Sequence, residues 1–460
     1  MSMVREPRPE AMALPGPHPR RGRPPSRNEI LRNGRLGGLD PQTLADRFGT
    51  PAYIYDLDVA TRQVAALRAA LPACFDLAYA VKANPNVAVL RHLGSLGLGA
   101  DVASGGELRH TARAGIDPSR VVFTGPGKRD PELQAAVAAG VRVVTVESLG
   151  ELRRLARFAE EAGRVQPILM RAAVTEAARL ERVRLVGDDG AGKFGMDLAD
   201  LRIAAVEAVA SPWLDPQGIH AFGASNVTDA TALASHIEAT VEMGIDIAAG
   251  AGFPLRLVDA GGGLGIPYQV HEDGLDLTVL RIRLTALAER LAANPATAEA
   301  RILLEPGRFL VGQCGAYMAR VTERKSVGGH HVIILDGGIH HVLRPALVGQ
   351  EHRVRALTGA AAAPGAASNA QRFPVTIAGP LCSGLDVFAQ GAAMPVPDVG
   401  DLVAVLDVGA YGATESMPFF LSHALPAEVA IRNGEAWLAR PRVEPDTWLE
   451  WQTGEPPTAG

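Results

Sequence analysis

Cysteine is scarce in this chain: Cys74, Cys314 and Cys382 are the only three among 460 residues, and no C-x-x-C pair occurs. That scarcity excludes a disulfide framework and a structural zinc site, so no metal is expected and a reducing, cytoplasmic setting is the natural reading. Long apolar runs are also missing. None approaches the ~20 residues that a membrane helix needs, so no membrane partner is expected. There is no excess of positive charge either. A formal net charge of -5 and an isoelectric point near 6.2 argue against nucleic acid as the main partner. Arg20-Arg21 is followed by Gly22-Arg23-Pro24-Pro25 instead of an apolar stretch, so a twin-arginine export signal is not expected.

What is present is enough apolar sequence, 47% of the chain, for two or three domains with sizeable cores. Residues 1–36 are rich in Pro, Arg and Gly without periodicity and are expected to form a disordered extension. From Pro51 onward, short β-prone runs alternate with helical patterns. The runs fall at 76–81, 100–103, 121–124, 141–146, 167–171, 218–222, 255–259 and 301–305, with helical patterns such as 107–114, 131–139, 149–162, 198–210 and 277–293. Eight strand–helix units over a span near the ~250 residues usual for such barrels predict an α/β fold, a (β/α)8 barrel. A doubly wound open sheet is the competing architecture, but its phosphate loop follows the first strand and not the seventh.

After Arg308 the alternation stops. Strands are expected at 311–320, 331–336, 373–378 and 402–406, forming a second, β-rich domain. The predicted organisation is therefore 1–36 extension, 37–308 barrel with a leading segment, 309–440 β domain and 441–460 tail, with 360–370 a solvated loop. Trp448 and Trp451 in the tail are expected at most to pack locally.

Three features carry chemistry. Lys82, in Val81-Lys82-Ala83-Asn84, closes the first predicted strand, and the C-terminal ends of barrel strands form the active face. A lysine after a strand is commonly a solvated loop residue; among apolar walls and other cations it loses proton affinity and can condense with an aldehyde. Gly261-Gly262-Gly263 follows the seventh strand, where bare backbone amides suit a phosphate. The alternative is a flexible loop. Glu305-Pro306-Gly307-Arg308 closes the eighth strand. Glu305 and Arg308 could form a mere ion pair, or the glutamate could hold a protonated pyridine nitrogen and make the ring a strong electron sink.

With these residues the chain resembles the fold-type III pyridoxal-phosphate decarboxylases, typified by ornithine and diaminopimelate decarboxylases. The resemblance spans roughly 51–421 and rests on six ordered motifs: Tyr79-Ala80-Val81-Lys82-Ala83-Asn84, Lys193-Phe194-Gly195, the glycine triplet, Glu305-Pro306-Gly307-Arg308, Gly379-Pro380-Leu381-Cys382 and Gly409-Ala410-Tyr411-Gly412. It implies pyridoxal 5'-phosphate as cofactor, Lys82 as the residue that carries it and Glu305 as the partner of its ring nitrogen. It places Ser225, Gly262, Gly263, Arg308 and Tyr411 around the phosphate, with Pro306 and Gly307 beside them. It further implies a homodimer with shared active sites, in which Cys382 of one subunit returns a proton to the product in the other. Without the resemblance, Cys382 is an ordinary buried thiol.

Departures from the family pattern bear on the substrate. Phe222, in His220-Ala221-Phe222-Gly223-Ala224-Ser225, stands where the family stacks a histidine on the cofactor ring. Ser383 replaces the acid that holds a distal ammonium, and Val348 replaces the tyrosine that ends Arg344-Pro345-Ala346-Leu347 in diaminopimelate decarboxylases. Arg308 and Arg344 remain and suit an anionic group; Ser383 and Tyr411 complete the expected substrate contacts, and His340 or His341 could line the pocket or lie in the core. The expected activity is decarboxylation of an amino acid or conjugate with an anionic or amide-linked far end, of the siderophore or carrier-protein type. Diaminopimelate decarboxylation proper, racemisation, and a non-catalytic cofactor-binding protein are the alternatives.

Overall fold

Short runs such as Val121–Phe123 and Val143–Val146 are buried throughout, as parallel strands covered on both faces must be. The computed structural model describes residues 29–173, 192–269, 272–359, 372–452 and 454. In it, eight parallel strands close a barrel: Phe75–Ala80, Gly99–Val102, Val121–Phe123, Val143–Val146, Gln166–Arg171, Leu214–His220, Leu257–Asp259 and Arg301–Leu304. Each coincides with a predicted run to within a few residues. Closure is pinned at the N-terminal face, where Asp76 on the first strand takes Arg301 at 2.5 Å and Arg142 at 2.6 Å.

Helices cover the barrel, and their starts follow local capping chemistry. Ser104 accepts from the Glu107 amide at the head of Gly105–Ala114, and Ser148 from the Glu151 amide at the head of Leu149–Glu161. Leu57–Ala70, Val87–Ser95 and Ala230–Ala251 are further helices that the sequence reading did not name.

The second layer is a nine-stranded sheet. Its long strand Gly315–Val327 pairs with His330–Leu335, Leu402–Leu406 and Ala52–Asp56. Ala52–Asp56, from the leading segment, also runs parallel to Ala427–Arg432, so the sheet ties the start of the described chain to its end. The expected strands at 373–378 and 402–406 occur as Phe373–Ala378 and Leu402–Leu406. Trp448 is buried on the short helix Asp446–Leu449, edge-on to Phe419 at 5.4 Å. The predicted loop at 360–370 and most of the predicted extension, residues 1–28, lie outside the described residues, as do 453 and 455–460 of the tail.

Candidate active site

Side chains at the C-terminal ends of the barrel strands converge on one mouth. Lys82 sits in the turn Val81–Ala83 after the first strand, and Asp101 is on the second. Arg171, His220 and Asp259 end the fifth, sixth and seventh, and Glu305 follows the eighth. A cleft of about 340 Å³ opens there, lined by Lys82, Phe222, Ser225, Gly262, Gly263, Glu305, Gly307, Arg308 and Tyr411, together with Ala80, Asn226 and Leu264.

The sequence motifs hold one another in place. The Tyr411 amide donates to the Ala83 carbonyl at 2.8 Å, and Asn84 Nδ2 donates to the Gly409 carbonyl at 3.0 Å, so the β domain is stitched to the lysine turn. The Pro306 carbonyl accepts from the Ala80 amide at 3.4 Å. A Cβ on Gly262 would meet the Glu305 carbonyl oxygen at 2.3 Å, which is why the triplet can run against the eighth strand only as glycine. Lys193-Phe194-Gly195 lies against Arg171, whose guanidinium is 4.5 Å from the Phe194 ring centroid, and Glu147 accepts from both Arg171 and the Gly195 amide.

Lys82 Nζ lies 3.6 Å from Asp101 and 5.8 Å from the Phe222 ring centroid, with 46% of its side chain open to the cleft. The sequence reading expected a lysine of weakened proton affinity. Burial does pull that way, but the Asp101 and Glu305 carboxylates outweigh it and raise the Lys82 pKa. The apolar walls are real; two acids beyond the sequence neighbourhood decide the sign.

Glu305 does not pair with Arg308. Its Oε2 lies 3.6 Å from His220 Nε2, and Thr124 Oγ1 is 3.4 Å from its Oε1. Burial opposes its ionisation, yet His220, Lys82 and Asp259 together hold its pKa down at about 2. Burial lowers the His220 pKa against the pull of the Glu305 carboxylate. Asp259 is pushed the other way, first by burial and then by Glu305, toward its protonated form. Asp101 is raised to about 7 by burial and Glu305. His220, Asp259 and Glu305 offer ligand atoms within 4.8 Å of one another.

Arg308 is buried at 5% exposure, donating to the Tyr268 hydroxyl and approaching Ser225 Oγ at 3.4 Å. It has no carboxylate partner among the described residues. The Gly262 and Gly263 amides beside it likewise have no acceptor among the described residues. A buried cation flanked by idle donors is a site for an anion.

Four predicted site residues, Pro306, Arg344, Cys382 and Ser383, stand apart from the cleft lining. Cys382 is exposed on the loop between Gly379 and Asp386, with half-buried Ser383 beside it. Asp386 shapes that loop by accepting from the Ile339 and Leu381 amides. Arg344 is buried at 1% exposure and bound to Glu415 at 2.5 Å. His341 is a core residue, bonded through Nδ1 to the Tyr317 hydroxyl, and His340 stacks on it at 3.7 Å. Asp101, Asp259 and Glu415 are the residues that sequence reasoning passed over. For the first two the available signal was a carboxylate inside a barrel strand, where an apolar residue is the rule.

Residues 57–312 match the family model described as "Pyridoxal-dependent decarboxylase, pyridoxal binding domain". The chain is 33% identical over 340 residues to a diaminopimelate decarboxylase of Neisseria meningitidis serogroup A, covering 74% of this chain and 79% of that protein. It is 30% identical over 398 residues to the L-glutamyl-[BtrI acyl-carrier protein] decarboxylase of Niallia circulans, covering 86% and 92%. Among solved structures, diaminopimelate decarboxylase from Helicobacter pylori complexed with L-lysine superposes with a TM-score of 0.80 at 26% identity, covering 89% of this chain and 98% of that one.

Proposed function

The chain belongs to the pyridoxal-dependent decarboxylase family, and from that premise we propose that it removes the carboxylate of an amino acid or amino-acid conjugate whose far end is anionic or amide-linked. It is a pyridoxal-phosphate-dependent carboxy-lyase. The observation that carries the site assignment is the buried Arg308 without a carboxylate partner among the described residues, across the same cleft from Lys82 and Glu305. Those three groups fit a phosphate, an aldehyde and a ring nitrogen respectively, and the idle amides of Gly262 and Gly263 complete the phosphate donors.

When bound, pyridoxal phosphate supplies an electron-accepting ring for the pair released as carbon dioxide leaves. Lys82 would hold the cofactor through its aldehyde carbon. Glu305, whose pKa is held down at about 2, would hold a proton at the ring nitrogen. His220 lies 3.6 Å from that carboxylate, and Phe222 would offer a ring face without a proton to give. The proton that replaces carbon dioxide on the substrate carbon comes from the Cys382 thiol of a second subunit. Cys382 is exposed and outside the cleft lining of its own chain, so this role for it requires a homodimer with shared sites. Mixing inactive Lys82→Ala and Cys382→Ala variants should restore part of the activity; proven subunit exchange without recovery would argue for sites within one chain.

Diaminopimelate decarboxylation is the second reading, favoured by the names of several relatives and opposed by Ser383 and Val348. Racemisation is opposed by Glu305, and a non-catalytic cofactor-binding protein, of the kind that keeps only a barrel, by the nine-stranded sheet. Carbon dioxide release from free and conjugated amino acids tests the proposal: turnover of a conjugate above diaminopimelate, ornithine and lysine supports it, and efficient turnover of diaminopimelate alone overturns it.

A further inference from the structure

Two arginines press on the same ring. The Tyr411 ring centroid lies 4.7 Å from the Arg308 guanidinium and 5.2 Å from that of Arg344. Of the two, Arg308 lines the cleft and has no carboxylate partner among the described residues. Arg344 Nη1 meets Glu415 Oε2 at 2.5 Å, with 2% of the arginine side chain and 28% of the glutamate exposed. The carboxylate is not a loose surface partner. Its neighbour Ser416 accepts from the Leu343 amide at 3.3 Å and donates to the His341 carbonyl at 2.8 Å, which binds the Glu415 segment to the start of the Arg344 helix.

We propose that Glu415, through the Arg344 that lies against the cleft-lining Tyr411 ring, determines specificity on that side of the cleft. By holding Arg344 in an internal ion pair it makes that side neutral, and so selects an amino acid whose far end is an amide or thioester over one ending in a free carboxylate. The inference rests on the decarboxylase reading and sharpens it. A ligand carboxylate aimed at Arg344 would have to expel Glu415 and leave it ionised close by, where like charges repel. A ligand ammonium gains little from a pair already neutralised, and Ser383 adds no charge to hold it. A neutral carbonyl with its extension meets neither penalty. This reverses the expectation from sequence that Arg344 receives an anionic group: the arginine is present, but the chain supplies its anion.

The test uses the holoenzyme with matched pairs of racemic free acids and their distal N-methyl amides: aspartate, glutamate and 2-aminoadipate. Binding is read as the absorbance change of the bound cofactor, and turnover as carbon dioxide. Wild type should favour the amide in at least one pair. Glu415→Gln, which frees Arg344 without removing packing volume, should move that amide-to-acid ratio roughly 10–100-fold toward the acid, the range of one charge-assisted contact. The double variant Glu415→Gln/Arg344→Met should restore the preference for the amide. A ratio unchanged by Glu415→Gln in a folded, cofactor-loaded protein overturns the inference, as does a wild-type preference for the acids. Binding with the expected ratios but no carbon dioxide overturns the decarboxylase reading and leaves the role of Glu415 standing. No spectral response in any pair overturns both.

Discussion

The barrel mouth and the β-domain wall beside it handle charge in opposite ways. At the mouth, among the described residues, Arg308 is buried without a carboxylate partner, the Gly262 and Gly263 amides have no acceptor, and Lys82 is only 3.6 Å from an Asp101 whose pKa stands at about 7. On the wall, Arg344 is closed by Glu415, Arg353 by Asp407 and Glu29, and Asp386 by backbone amides. Burying ions costs free energy unless they are paired, so a fold tolerates an open charge where a ligand will meet it. The contrast separates a surface built to receive charge from one built to present none.

The contrast predicts unequal sensitivity. The largest effect belongs to Glu305→Gln: cofactor binding persists, while turnover falls by about two or more decades, because the contact at the electron sink is typically worth ~3 kcal/mol. Steady-state kinetics on the cofactor-loaded variant checks this, and wild-type rates would remove the case for Glu305 at the ring nitrogen. Next is Arg308→Met, expected to weaken pyridoxal phosphate roughly 10–100-fold by equilibrium titration. Unchanged affinity would place the phosphate elsewhere.

A third test concerns Asp101. Its folded pKa is about 7, raised first by burial and then by Glu305. Between the unfolded value of ~3.9 and that figure the folded chain holds a proton that the unfolded chain has lost, so this group makes stability fall as pH rises. In cofactor-free protein, Asp101→Asn should therefore flatten the decline of Tm across that window. Parallel Tm curves would contradict the assigned shift. The smallest effect is expected for Asp259→Asn: burial and Glu305 raise the Asp259 pKa and so favour its neutral form, and a neutral amide in its place should alter turnover by no more than about threefold. A larger loss in kcat would mean that Asp259 works as an anion.

What the sequence disclosed follows from which interactions are local. The barrel strands were legible because strands covered on both faces must be continuous apolar runs, and the glycine triplet because its place after the seventh strand is topological. Ala52–Asp56 could be seen only as part of a leading segment, since its partners Gly315–Val327 and Ala427–Arg432 lie at the other end of the chain. The Lys82 titration was misjudged for the same reason: Asp101 and Glu305 belong to other strands. Arg344 was correctly singled out as a cation, but Glu415 lies 71 residues away, and no period or motif joins them. A residue type can be read from sequence; whether its charge is already satisfied is a tertiary property.

The most direct test compares retention of pyridoxal phosphate and pyridoxal on Lys82 after borohydride reduction, in wild type, Arg308→Met and Arg344→Met. Peptide mapping should find the adduct on Lys82 in all three, with the phosphorylated form favoured in wild type and Arg344→Met, and that preference lost in Arg308→Met alone. Equal loss in both variants, no loss in either, or an adduct on another lysine would contradict the division between an open and a closed arginine.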